Sequence, residues 1–240
     1  PRHIFDAEAG LERLSALAIA DLVQDYYLTS KIKATRLADC IECIMQKTTA
    51  NTLPVIRIKE TAGKKELILD GTGVLKGDKL VGYLDAKETR GLLWVLGKVQ
   101  GGLVTVDVPG KKGKATLEIF NATTKLTVKA KAGKIAVKVE VKERAGLGAQ
   151  TTYADLSTPE KLNQLEKLQA EAIKEEIRAA LAKARELKAD IFGFGEYLFE
   201  HDNREWKRLE KEWERHFVEA EVEIKVETML EELGMITRPA

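Results

Sequence analysis

Cysteine is nearly absent: the chain has two, Cys40 and Cys43, among 240 residues. So sparse a count provides no disulfide framework and says little about redox compartment. Histidine is as rare, with His3, His201 and His216 scattered singly, so no zinc-ligand spacing forms around the cysteines. No run of ~20 apolar residues occurs, which leaves no membrane-spanning helix. Net charge is +1, from 39 basic and 38 acidic residues, without the strongly basic footprint of a nucleic-acid binder. The opening residues, PRHIFDAEAGLERL, lack the order of a signal peptide, and a start at Pro1 suggests a piece of a longer protein.

What is present is a chain with 44% hydrophobic and 32% charged residues. At roughly 100–150 residues per domain, that length suggests two, each with its own core. The dominant stretch is Ser157–Lys188, where Leu162, Leu165, Leu168, Ala172, Ile173, Ile177, Ala180, Leu181, Ala184 and Leu187 recur at spacings of three and four. This predicts one amphipathic helix about 45 Å long, enough to lie diagonally across a sheet. Ser157 and Glu160 have capping-box spacing, and Pro159 stands in the first turn, where its missing N–H is harmless.

Upstream, helical stripes cover Gly10–Leu28 and Thr35–Thr48. Both cysteines lie inside the second, so Cys40-Ile41-Glu42-Cys43 reads as buried packing; redox or metal chemistry is the alternative. From Leu53 to Leu84 the period becomes two, giving short strands PVIRIKE, KELILD and GTGVLK…KLVGYL. Lys76-Gly77-Asp78-Lys79 predicts a type II′ hairpin. Gly71, Gly73 and Gly77 lead into a strand, not a helix N-terminus, which argues against a phosphate loop. Asp85 and Glu88 form a capping pattern for a helix ending at Gly97. Gly97–Gly102 reads as a hinge, dividing a middle α+β domain, 1–99, from a C-terminal α+β domain, 100–240.

Four further strand candidates follow: Leu103–Val108, Ala115–Phe120, Thr124–Lys131 and Lys134–Glu143. The last two alternate apolar residues with Lys125, Lys129, Lys131, Lys134, Lys138 and Lys142. That basic face reads as solubility and edge protection, with contact to anionic lipid or an acidic partner as the alternative. Glu219–Glu227 alternates glutamates with Val222, Ile224 and Val226, and would neutralise part of the lysine face if paired beside it. Ala145-Gly146-Leu147-Gly148 reads as a flexible loop. After the long helix come an aromatic-glycine turn, Ile191-Phe192-Gly193-Phe194-Gly195, and a last helix with Asp202 and Glu205 at capping spacing and Trp206, Leu209, Trp213 and Phe217 on one face. The fold class is α+β, two sheets packed against helices, with strand order open.

Several stretches resemble the Ger(x)C family: GTGVLKGDKLVGYLDAKETRGLLWVLG, DLSTPEKLNQLE, KADIFGFGEYL, the Trp206–Phe217 aromatic pattern and VEIKVE. Family members are the C subunits of spore germinant receptors. The resemblance runs from about Leu53 to the end, with the DIFGFGE stretch most specific. It implies second and third domains of a lipoprotein whose signal peptide, lipidated cysteine and first domain lie outside this sequence. It implies a place on the outer face of the inner spore membrane, in complex with membrane subunits in nutrient-triggered germination. No cofactor, metal or catalytic residue follows from it, and no nucleic acid.

Surface contact is therefore the expected mode, with Asp78 and Lys79 at the hairpin tip, Glu88, Arg90, and the Phe192/Phe194 turn as candidate interaction residues. Two other classes compete. A hydrolase would use Glu196, Glu200 and His201, but needs two carboxyls facing across a cleft at ~5–9.5 Å, which no spacing indicates. An extracytoplasmic nutrient-binding protein would need a concave pocket, for which Gly97–Gly102 is the place to look.

Overall fold

The structure, a computed structural model, describes residues 15–35, 38, 40–41, 48–61, 64–110 and 112–231. It is α+β. Helix α1 (Ser15–Leu28) precedes strands β1 (Asn51–Thr61), β2 (Lys64–Lys76) and β3 (Lys79–Leu84), an antiparallel sheet in sequence order. Helix α2 (Ala86–Val95) leads into a second sheet, β4 (Gly102–Asp107), β5 (Lys114–Lys131) and β6 (Lys134–Gln150). Helices α3 (Pro159–Glu186), α4 (Phe194–His201), α5 (Asn203–Leu209) and α6 (Trp213–Glu219) then return the chain to β7 (Glu221–Glu231). The second sheet has the order β4-β5-β6-β7, with β7 parallel to β6. A parallel pair needs a crossover of a dozen or more residues, which α3–α6 supply.

Local chemistry explains many of these elements. The β2–β3 turn has Gly77 at φ +59° and pairs Lys76 with Lys79, the expected two-residue hairpin. Pro54 lies where edge strand β1 shifts register, a place that tolerates a missing ladder donor. The α2 capping box forms in full: Glu88 N–H donates to Asp85 Oδ1 at 2.7 Å and Asp85 N–H to Glu88 Oε2 at 2.8 Å.

Other expectations are corrected. Thr158, not Ser157, is the N-cap of α3 and accepts no N–H on its side chain; Ser157 stands one residue outside the cap, its hydroxyl donating to Asp155 Oδ1 at 2.6 Å. Candidates Ala115–Phe120 and Thr124–Lys131 run together in β5, with register shifts at Thr116/Leu117 and Ile119/Asn121 taking up the irregular pattern between them. KELILD and GTGVLK likewise form the single strand β2. Ala145–Gly148 is strand, its backbone paired with β5 and, at Ala145 and Gly146, also with β7; ladders on both sides outweigh the cost of glycine. The last helix is broken by a 3-10 turn at Glu210–Glu212, although Trp206, Leu209, Trp213 and Phe217 are all buried. Of the Thr35–Thr48 pattern, only fragments fall within the described residues. Cys40 is free and half-buried, receiving the Asn51 amide on Sγ at 3.0 Å, and Cys43 lies outside them.

Helix α3 crosses the inner face of the second sheet, touching β7 at one edge and β4 at the other, as its length predicts. Leu165, Ile173, Ile177 and Ala180 lie buried against Val137, Val139 and Val141 of β6 and Val226 of β7. Its other flank meets α2 at Gly91, where an added Cβ would stand 2.0 Å from the Glu176 carbonyl oxygen. Each large side chain so buried contributes ~1.5–3 kcal/mol before the entropy of ordering is subtracted. The sheets change between β3 and β4, and α2, which lies between them in sequence, packs onto α3. The Gly97–Gly102 link is tied at Ser30, whose Oγ accepts the N–H groups of Gln100 at 2.8 Å and Gly101 at 3.2 Å.

The outer face of the second sheet is charged but largely self-matched. Lys138 stands opposite Glu223, Glu140 opposite Lys225, and Lys142 opposite Glu227. The late glutamate strand thus neutralises part of the lysine face.

Candidate functional site

The residues with the most unusual environments are buried polar groups between elements. Asp190, directly after α3, is 5% exposed. Its Oδ1 accepts the N–H groups of Phe192 at 3.1 Å, Gly193 at 3.0 Å and Phe194 at 3.2 Å. Its Oδ2 accepts those of Gly195 at 2.8 Å and the Trp213 indole at 3.2 Å. Gly193 at φ +77° is the N-cap of α4 and has no side chain to offer, so Asp190 satisfies the open N–H groups of the first turn in its place. Burial pushes the Asp190 carboxyl up to about 6, and the N–H donors from Gly195, Phe194, Phe192 and Trp213 pull against it. Phe192 and Phe194 stack at 5.3 Å between ring centroids and pack on Phe217. The DIFGFGE turn is thereby a buried knot in which one carboxylate satisfies the four consecutive N–H groups from Phe192 to Gly195.

A second node joins α2, α3 and β4. Arg90 donates from Nε to Glu176 Oε2 at 2.8 Å and from Nη2 to Oε1, while its Nη1 reaches the Leu103 carbonyl at 2.9 Å. Trp94 Nε1 adds a bond to Glu176 Oε2 at 2.9 Å. A third lies under β6: Gln169 Nε2 donates to Glu143 Oε1 at 2.8 Å, both residues being buried. Burial pushes Glu143 up to about 8, opposed by that amide bond. Neither Glu143 Oε2 nor Gln169 Oε1 has a hydrogen-bond partner among the described residues.

The six expected contact residues do not converge. Asp78 and Lys79 are exposed at the β2–β3 tip. Close by in sequence, Lys76 is tied to Glu214 of α6 at 2.5 Å, and Leu80 and Tyr83 are 52% and 47% exposed. Glu88 serves the α2 cap and Arg90 the Glu176 node. Phe192 and Phe194 are core. Glu196, Glu200 and His201 share the single helix α4, and His201 Nδ1 lies 2.9 Å from the Tyr197 carbonyl oxygen. Among the described residues no group of three or more acids, histidines or cysteines gathers as a metal site. No helix there is long and apolar enough to cross a membrane.

Asp190, Glu176, Gln169 and Glu143 were not singled out from the sequence, yet three carry a signal. Gln169 and Glu176 interrupt the apolar stripe of α3 at inward positions, and Glu143 continues the inward series Val137, Val139, Val141. A polar residue on the buried phase of a period marks an internal partner.

The model of the family described as "Spore germination B3/ GerAC like, C-terminal" matches residues 70–234, well over half of the chain. The chain belongs to this Ger(x)C family. Among similar proteins of Bacillus subtilis (strain 168), spore germination protein KC is 26% identical over 181 residues, covering 75% of this chain and 44% of that protein. Spore germination protein B3 is 25% identical over 183 residues, covering 75% and 48%. Putative spore germination protein YfkR is 20% identical over 239 residues, covering 98% and 61%. The chain thus spans about half the length of the curated relatives KC and B3. The crystal structure of the GerBC protein superposes with a TM-score of 0.64 at 23% identity, over 76% of this chain and 57% of that one, which supports the fold. In this Ger(x)C chain the DIFGFGE stretch is the Asp190 knot.

Proposed function

We propose that this Ger(x)C chain is part of a non-enzymatic subunit of a spore germinant receptor, acting through protein contacts with the receptor's membrane subunits in nutrient-triggered germination. The reading places it at the outer face of the inner spore membrane, held there by a lipid anchor on a longer form of the protein. The observation that carries it is the division of labour among its side chains. The buried carboxylates Asp190 and Glu176 are committed to internal bonds, while the exposed apolar residues Leu80, Val81 and Tyr83 stand on edge strand β3 beside Asp78 and Lys79. Exposed apolar side chains on a strand that ends its sheet among the described residues fit a surface that meets another protein.

The test is retention of detergent-solubilised receptor membrane subunits by the immobilised chain, run beside a thermal-shift screen of amino acids and sugars. Retention without ligand-induced stabilisation is the expected result. No retention, with one nutrient raising Tm, would replace this reading by direct nutrient binding. Asp78→Ala with Lys79→Ala in the full-length protein is expected to slow germination, and normal germination with normal assembly would remove the tip from the contact surface.

A further inference from the structure

We propose that the free edge of β7 receives an extended segment of a partner protein, apolar and acidic in character, as an added strand. The proposal rests on the receptor-subunit reading above and names how one contact is made.

Strand β7 ends its sheet, and among the described residues no strand lies on its outer side. Leu230 turns its N–H outward to Glu166 Oε1 at 2.9 Å, while its partner strand β6 lies on the other side. Because successive residues of a strand point their N–H and C=O groups to opposite sides, those of Val222, Ile224, Val226 and Thr228 face outward with it. The row is closed at both ends by α3. Glu166 holds Leu230 at one end, and Arg185 Nη2 donates to the Ala220 carbonyl at 2.7 Å at the other. Between them lies a row of backbone groups without a partner among the described residues, long enough for a segment of about six to eight residues.

Beside this row, α3 and β7 flank an open groove of ≈ 530 Å³, lined by Arg178, Leu181, Arg185, Glu221, Val222 and Ile224 among others, two guanidiniums against one carboxylate. Leu181, Val222 and Ile224 offer apolar contact to alternate side chains of an added strand. Arg178 and Arg185 supply positive charge at the Glu221 end. The bonds of Arg178 to Glu171 and of Arg185 to Ala220 each use one of a guanidinium's five N–H donors, leaving donors for an entering carboxylate. Charges on a strand often discourage edge pairing, but those of β7 face the sheet surface: Glu223 stands opposite Lys138, and Glu227 pairs with Lys225 at 2.8 Å and Lys142 at 3.8 Å. Affinity would come from main-chain bonds, and selectivity from the groove and its arginines.

The first measurement uses the synthetic peptide Glu-Thr-Val-Thr-Val-Thr-Val, whose glutamate and valines fall on one face, and follows amide hydrogen exchange by NMR. Exchange at Val222, Ile224 and Val226 is expected to slow by roughly tenfold or more on peptide binding. A version with lysine for glutamate, or with N-methylated backbone, is expected to bind weakly. Binding that leaves those amides unprotected, or no binding at millimolar peptide, overturns the proposal. So does a concentration-dependent dimer of the chain alone with protection at the same amides, since the occupant would then be a second copy.

The second measurement repeats the membrane-subunit retention with Arg178→Glu, a half-exposed site, and with Val222→Pro, which removes an outward N–H without breaking the β6 ladder. Circular dichroism confirms folding. Loss of retention in both variants, with the unsubstituted chain retained, supports the edge; full retention by both overturns it. If the unsubstituted chain itself retains nothing, the receptor-subunit reading fails while the peptide exchange still decides whether the edge accepts a strand.

Discussion

Asp190 places five hydrogen bonds on two oxygens, four of them from consecutive backbone N–H groups. An asparagine there would present an amide N–H to donors that need an acceptor. Asp190→Asn is therefore expected to cost about 1–3 kcal/mol, read from urea unfolding; a change under about 0.5 kcal/mol would mean the knot does not depend on the carboxylate. Glu143 makes a pH prediction. Its carboxyl is raised from 4.5 to about 8, so between those values the folded chain keeps a proton that the unfolded chain has released. Stability from this group is complete below the lower value and falls as pH rises through the upper one. Glu143→Gln is expected to flatten the decline between about pH 4.5 and pH 8, and an unchanged slope would assign it to other groups. The family motif around Asp190 was legible in the sequence, but its role was not, because an acceptor for local backbone N–H groups leaves no periodic trace. Glu143, Gln169 and Glu176 were legible in principle, since each occupies an inward phase of its strand or helix.

At the scale of elements, legibility depended on where each element begins and ends. The Asp85/Glu88 box formed because Asp85 is itself the N-cap of α2, whereas α3 starts one residue later than the Ser157/Glu160 spacing requires, with Thr158 as its N-cap. Strands were readable by alternation but not by length, since register shifts let β5 continue through a break in its pattern. The closest helix contact turns on Gly91, against the Glu176 carbonyl. Gly91→Ala gains helix propensity but must push α3 away, and the loss of packing wins: about 1–3 kcal/mol of destabilisation is expected in a thermal or urea melt. A more stable variant would show that the two helices are not held at that distance.

For the whole molecule, the α+β class, the long helix and its sheet followed from the sequence, while strand order did not, because neither parallel nor antiparallel placement of β7 changes its local alternation. We propose residues 1–99 and 100–240 as its two units, coupled through α2. The Arg90–Glu176–Trp94 node and a continuous apolar core from Val74 to Leu230 join them. Calorimetry is expected to show one cooperative transition, whereas two resolved transitions would mean that the α2–α3 contact is a weak docking between independently stable bodies.

The order in which β6 finds its neighbours also bears on how the protein is made. Ala136 of β6 pairs with Glu221 of β7, and every residue between them must leave the ribosome before that ladder can begin. At about 5–20 residues per second, the inner strand waits several seconds with one side unpaired. During translation β6, later an interior strand, is the exposed edge, and nascent chains halted before β7 are the species that chaperones must shield.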